Sequence, residues 1–278
     1  MLGAAVIVFR EVLEAALIIA IVMGASRGVA GRVRWIIAGT SIGILGATVV
    51  AAFTGAIADA LEGRGQELLN ASVLLAAVLM LGWHNVWMSA HGRKVAADMK
   101  RLGHDVSVGV RPLSAMLIVT ALAVLREGSE TVLFLYSLTA SGTNPMMLLT
   151  GGLLGLVAGA LLGALFYRGL LYVPLHHFFT FTGWIILLLA AGLAANAAGY
   201  LTQAGLLPSL YPQLWDSSHI LSQESFIGQL LHILIGYNDR PTAMQLLFYL
   251  ATVATMGLLM RGASWRATQT SVKAGSAA

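Results

Sequence analysis

Seven stretches of roughly 20 residues, at about 4–25, 35–57, 70–90, 113–138, 147–166, 181–204 and 241–260, consist almost entirely of aliphatic, aromatic, Gly and Met residues. A helix rises about 1.5 Å per residue, so each run can cross a hydrocarbon layer about 30 Å thick. Inside that layer only helices or closed barrels satisfy every backbone polar group. The sequence therefore predicts an all-α polytopic membrane protein with seven transmembrane helices, forming one domain over residues 1–278. Composition agrees, since 10% of residues are charged and the mean hydropathy is +0.83, whereas soluble domains carry about a quarter charged residues. The first apolar run holds three charges between residues 10 and 14. A signal peptide has an uninterrupted apolar stretch, so this run is expected to be a retained helix.

The charge pattern sets an expected topology. Arg27, Arg32, Arg34, Arg93, Lys94, Lys100, Arg101, Arg111, Arg168, Arg261, Arg266 and Lys273 fall in loops on one side of the spans. The positive-inside rule makes that side cytoplasmic, with the N-terminus outside and the C-terminus inside. The opposite loops hold Arg64 and Arg240 with six acids, Asp59, Glu62, Glu67, Asp216, Glu224 and Asp239. Such a face either concentrates cations near an outer entrance or is simply a solvated surface. Because the basic residues lie in short loops rather than on one patch, the net charge of +4 reports topology and not nucleic acid binding. The chain has no cysteine, so a metal site must use oxygen, nitrogen or methionine sulfur.

The two halves repeat. Arg10 matches Arg126, the pair Gly39 and Gly43 matches Gly151 and Gly155, and Asn85 matches Asn196, at offsets of 116, 112 and 111. Repeat 1 covers about 4–90 and repeat 2 about 113–204. Each holds three spans, an odd number, so the copies are expected to insert inverted, a 3+3 arrangement with the seventh helix outside it. Small residues four apart, here and at Gly192, Ala195, Ala198 and Gly199, suit close helix packing. Residues 205–240 form a long outer loop in which 225–237 reads as an interfacial or re-entrant helix. The tail, 261–278, is rich in small polar residues and is expected to be disordered.

The first and fourth spans each carry an Arg-Glu-x-x-Glu motif, Arg10-Glu11-Val12-Leu13-Glu14 and Arg126-Glu127-Gly128-Ser129-Glu130. Glutamates three apart on a helix share a face, about 60° apart around the axis, and each arginine sits one turn before the second glutamate. Four glutamates and two arginines sum to −4 + 2 = −2 when ionised. A charge in an apolar span costs at least about 2.5–3.5 kcal/mol on insertion scales, so the pattern requires compensation. Three readings follow. The charges form a salt-bridge network pinning two helices together, the glutamates relay protons, or they coordinate a hard multivalent cation. The negative surplus favours the last.

The doubled motif on the first and fourth of seven spans resembles the oxidase-dependent, high-affinity iron permeases of fungi and bacteria. Trp83-His84-Asn85-Val86-Trp87-Met88, Trp215-Asp216-Ser217-Ser218-His219, Gly236-Tyr237 and Pro241 extend the resemblance over nearly the whole chain. It implies that Glu11, Glu14, Glu127 and Glu130 carry ferric iron as the transported substrate, that Arg10 and Arg126 shape the site, and that no cofactor is tightly bound. It also implies a multi-pass protein of the bacterial inner membrane. The expected partners are the lipid bilayer and an extracytoplasmic copper oxidase, cupredoxin or periplasmic iron-binding protein. Rival readings are a permease for ferrous iron, manganese or lead, and an intramembrane metalloenzyme, for which Ser129 is the only nearby nucleophile.

Secondary candidates are less specific. Ser129 offers a hydroxyl ligand, and Gly128 in place of Val12 admits a closer neighbour. His84 and Asn85, near Met80 and Met88, either line the pathway, hydrogen-bond the glutamates or form a satisfied interior pair. Asp216 and His219 form either an outer loading site or a helix cap. His176 and His177 read as an exit pair or a solvated loop. Tyr136 reads as bundle filling, and Trp83, Trp87, Trp184 and Trp215 as interface anchors.

Overall fold

The computed structural model describes residues 2–61, 66–168 and 175–275, some short stretches in backbone only. Glu62, Arg64 and the side chains of Asp59, Arg93, His176, His177, Arg266 and Lys273 lie outside the described residues. The chain is all-helical among them: α1 (Leu2–Ala25), α2 (Arg32–Leu61), α3 (Gln66–Ser107), α4 (Ser114–Ala140), α5 (Pro145–Tyr167), α6 (Leu175–Gln203), α7 (Phe226–Ile235) and α8 (Ala243–Gly275). Stretches of α2, α3, α5, α6 and α8 are long and apolar enough to cross a membrane. Helices α1 and α4, of 24 and 27 residues, match them in length, but each is interrupted by the three charges of its motif. The protein is a multi-pass membrane protein. Its outer surface is apolar, with Leu45, Val49 and Phe53 of α2 and Leu153, Val157 and Leu161 of α5 more than half exposed, as contact with lipid requires.

Two expectations about loops need correcting. Of residues 91–112, expected as a loop carrying Arg93, Lys94, Lys100, Arg101 and Arg111, all but 108–112 are helical, because α3 continues without a break to Ser107. Its extension docks on the end of α1. Leu102 and Val106 are buried with Val22, Ile36 and Met116, and a Cβ on Gly103 would sit 2.6 Å from the Ala25 Cβ. That apolar face gives the extension a reason to stay helical outside the lipid-spanning stretch. The tail is also helical rather than disordered as far as Gly275.

The 225–237 segment contains α7. Ser225 caps it by accepting from Gly228 N at 3.0 Å, and Gly236 ends it at φ 71°. Ten residues rise about 15 Å, too short to span. Gly236 lies against Gly192 of α6, where a Cβ on either glycine would collide with the other's Cα. The outer loop is held by Tyr237, whose hydroxyl donates to Leu221 O at 2.8 Å and lies 2.8 Å from Ser217 Oγ. Asp239 Oδ2 accepts from Gln223 N at 3.0 Å.

Helix packing is reciprocal: α5 lies along α1, and α2 lies along α4. A Cβ on Gly43 of α2 would meet Val124 Cβ, Ala121 O and Leu125 N of α4 at no more than 3.0 Å. A Cβ on Gly155 of α5 would meet Val8 Cβ, Ala5 O and Phe9 N of α1, again at no more than 3.0 Å. The residues touched correspond one for one, each α4 residue being 116 positions after its α1 counterpart, while Gly155 follows Gly43 by 112. The same registry accounts for Gly128. Val12 of α1 fits against Gly159 of α5, whereas Gly128 of α4 fits against Ala47 of α2, with its built Cβ 2.6 Å from the alanine Cβ. The large and small residues have exchanged sides of equivalent contacts.

A leucine at Gly43 or Gly155 has no room without parting two helices. Either substitution is expected to cost at least roughly 1–3 kcal/mol, read as a lower unfolding midpoint of the purified protein. Gly55→Leu, where a Cβ meets nothing within 4 Å, is the matched control and should change the midpoint little.

Candidate metal centre

Helices α1 and α4 bring their motifs together on facing sides, and α3 inserts His84 between them. Arg10, Glu11, Glu14, His84 and Glu127 are each between 1% and 4% exposed. Glu130 and Arg126 are more open, their side chains 14% and 41% exposed. The cluster is therefore less enclosed on the Arg126 side. Around this group the bundle is apolar, with Ile7, Leu81, Phe134 and Leu187 fully buried in the main core.

Both motifs pair internally in the same way. Arg10 Nε lies 2.9 Å from Glu14 Oε1, and Arg10 Nη1 lies 3.8 Å from Glu11 Oε1. Arg126 Nε lies 3.1 Å from Glu130 Oε1 and 3.7 Å from Glu127 Oε1. In each case the arginine holds the glutamate one turn ahead closely and its immediate neighbour loosely. His84 joins the two halves, its Nε2 3.3 Å from Glu14 Oε2 and its Nδ1 2.6 Å from Glu130 Oε2. Arg126 Nη2 also lies 3.1 Å from His84 Nδ1, and its guanidinium carbon sits 4.9 Å above the Trp87 ring.

Most of the carboxylate oxygens are left without hydrogen bonds: both of Glu11, both of Glu14, Glu127 Oε2 and Glu130 Oε2. Buried carboxylate oxygens in this state are costly, and each represents unused capacity to bind a cation. One ligand atom from each of Glu11, His84, Glu127 and Glu130 falls within 4.8 Å of the others. Among the described residues this is the one group of three or more such side chains with the spacing of a metal site.

The other sequence candidates are placed elsewhere. The Ser129 hydroxyl donates to Leu125 O on its own helix at 2.6 Å. Asn85 Nδ2 donates to Gly183 O of α6 at 2.9 Å and lies 3.5 Å from Met260 Sδ, so it ties α3 to α6 and α8. Met88 turns its methyl toward Gly92 of its own helix. Asp216 Oδ1 accepts from the backbone N–H and hydroxyl of Ser218, at 2.9 and 2.5 Å, and Oδ2 lies 3.1 Å from Arg240 Nε. The Ser218 hydrogen bonds, helped by Arg240, hold this carboxyl down at about 2. Asp216 is thus engaged in the loop, and His219 beside it is exposed. Tyr136 lines an apolar cavity of about 230 Å³ with Thr54, Leu69, Met80 and Leu133.

Two features escape the sequence reading: Glu14 stands outside the group of four ligand atoms that His84 joins, and Trp87 forms the floor under Arg126. The spacing His84, Trp87, one helical turn on α3, is the signal that could have found the second.

Residues 1–267 match the model of the iron permease FTR1 family. The chain belongs to that family. It is 32% identical over 250 residues to the ferrous iron permease EfeU of Escherichia coli O6:H1, covering 86% of this chain and 87% of the relative. It is 30% identical over 251 residues to the protein of the same name from Yersinia pestis, covering 87% of each. No solved structure matches it. As a member of this family it is a permease and not an enzyme, and iron is its transported substrate.

The two arginines of this permease sit in unequal surroundings, which yields an unequal cost. Arg10→Gln would leave Glu14 buried without its cation and is expected to lower stability by roughly 3–5 kcal/mol. Arg126→Gln should cost clearly less, because that side chain is 41% exposed. Denaturant unfolding of the purified variants checks this, and equal losses would contradict it.

Proposed function

We propose that this permease imports iron through one site formed jointly by the two Arg-Glu-x-x-Glu motifs, with Glu11, Glu14, Glu127 and Glu130 as its carboxylates and Arg10 and Arg126 shaping it. The observation that carries the reading is the set of buried oxygens without hydrogen bonds on Glu11, Glu14, Glu127 and Glu130, in two motifs whose formal charges sum to −2. A salt-bridge network explains the arginines and the engaged Glu14 and Glu130. It gives no reason to bury Glu11 with its ion-pair contact, to Arg10, as long as 3.8 Å. A cation does.

Seven spans are the proposed topology, α1 to α6 and α8, forming an inverted 3+3 repeat plus the last helix. The matched contacts of Gly43 and Gly155 support the repeat, and the basic loops support an outer N-terminus and a cytoplasmic C-terminus in a bacterial inner membrane. Inward movement of a cation would then follow the membrane potential, worth about 2.3 kcal/mol per charge per 100 mV. Iron would be presented outside by a copper oxidase, cupredoxin or periplasmic iron-binding protein, as the family resemblance implies.

The resemblance points to ferric iron as the species carried. A second reading, ferrous iron, is favoured by the names of the EfeU relatives and by the formal charge of −2, which a divalent ion balances. Uptake of radioactive iron into proteoliposomes separates them. Ferric transport resists a ferrous-specific chelator in the outer medium, and ferrous transport is abolished by it.

Glu14→Gln and Glu130→Gln, each correctly folded, are expected to reduce iron uptake in the same proteoliposomes by at least roughly tenfold. Full uptake by both would remove the motifs from the mechanism.

A further inference from the structure

Within the iron site, the ligand atoms are not distributed as the two motifs alone would suggest. The four that cluster within 4.8 Å come from Glu11, Glu127, Glu130 and His84, and not from Glu14. Glu14 has an ion-pair contact at each oxygen, Oε1 2.9 Å from Arg10 Nε and Oε2 3.3 Å from His84 Nε2, neither with the geometry of a hydrogen bond. Metal–ligand bonds of about 2.1 Å in a six-coordinate shell put neighbouring ligands about 3.0 Å apart and opposite ones about 4.2 Å apart. The four atoms therefore close on an ion with shifts of roughly half an ångström. His84 Nδ1 and Glu130 Oε2, at 2.6 Å, already stand near the spacing of neighbouring ligands.

We propose that His84 is a direct ligand of the transported iron and the residue that sets its selectivity, with Glu14 remaining beside Arg10 as a counter-charge. The assignment rests on the iron-permease reading above. Helices α1 and α4 then supply oxygens, and α3, outside both motifs, supplies one nitrogen. The chemistry gives that nitrogen a purpose. Carboxylates alone hold magnesium, calcium and manganese as readily as iron, whereas an imidazole ligand suits iron, copper and zinc. A buried histidine that only positioned Glu14 and Glu130 would leave the coordination shell all oxygen and selectivity unchanged.

Two measurements test this on the full-length protein. X-ray absorption at the iron edge of the wild-type chain loaded with iron in detergent should contain the scattering of one imidazole, and His84→Gln should lose it. In proteoliposomes, His84→Gln should make iron uptake more sensitive to competing manganese by about tenfold or more. An all-oxygen iron shell in the wild type overturns the assignment. So does a Gln variant that is slower but keeps the wild-type ratio of iron to manganese, the result expected of a positioning residue. The wild-type spectrum decides the matter even if the variant does not fold. A wild-type chain that neither binds nor transports iron overturns the functional reading itself, and this assignment with it.

Discussion

A carboxylate removed from water must be met by a cation, a proton or a set of hydrogen bonds, and the centre of this bundle buries carboxylates that are met only in part. Arg10 and Arg126 each neutralise the glutamate one turn ahead, and His84 links those two glutamates across the helix interface. Glu11 and Glu127 receive only distant attention from the same arginines, at 3.8 and 3.7 Å. The arrangement is partly compensated. Under the proposed function, this compromise lets the protein tolerate the charges during assembly while keeping oxygens available for an incoming ion.

Holding two charged helices against each other in an apolar bundle requires rigid flanks. Gly43, Gly155 and Gly159 let α2 and α5 approach the backbones of α4 and α1 until carbonyl oxygens lie where a Cβ would go. Each motif helix is thereby clamped to a helix of the other half. In the proposed inverted repeat, α1 with α5 and α4 with α2 are equivalent pairs meeting at the carboxylates, a geometry that permits one pair to rock against the other around a fixed site. The unequal exposure of Arg10 and Arg126 means the two sides of that site are not open to the same degree.

Much of this was legible in the sequence, because membrane insertion leaves so few solutions. Apolar runs of 20 residues define the helices, and charges inside them stand out against the background. The motif spacing already gave the intrahelical pairs Arg10–Glu14 and Arg126–Glu130, which depend only on helix geometry. Tertiary facts were less accessible. Whether His84 was a ligand, a hydrogen-bond donor or core filling depends on how α3 is rotated against α1 and α4, which no local pattern specifies. The helical extension of α3 past Met88 is hidden in the sequence, because its charges mask the apolar face of Leu102 and Val106 that docks on α1. Gly128 looked like a feature of the site, and its cause is the neighbouring Ala47.

The two motifs are proposed to make a single iron site rather than two sites in series. Equilibrium binding of radioactive iron to the purified protein tests it most directly, comparing the wild type with Glu11→Gln and Glu127→Gln. The account predicts one tightly bound iron per chain, lost when either motif is altered. Two irons per chain, each surviving the loss of the other motif's glutamate, would contradict it.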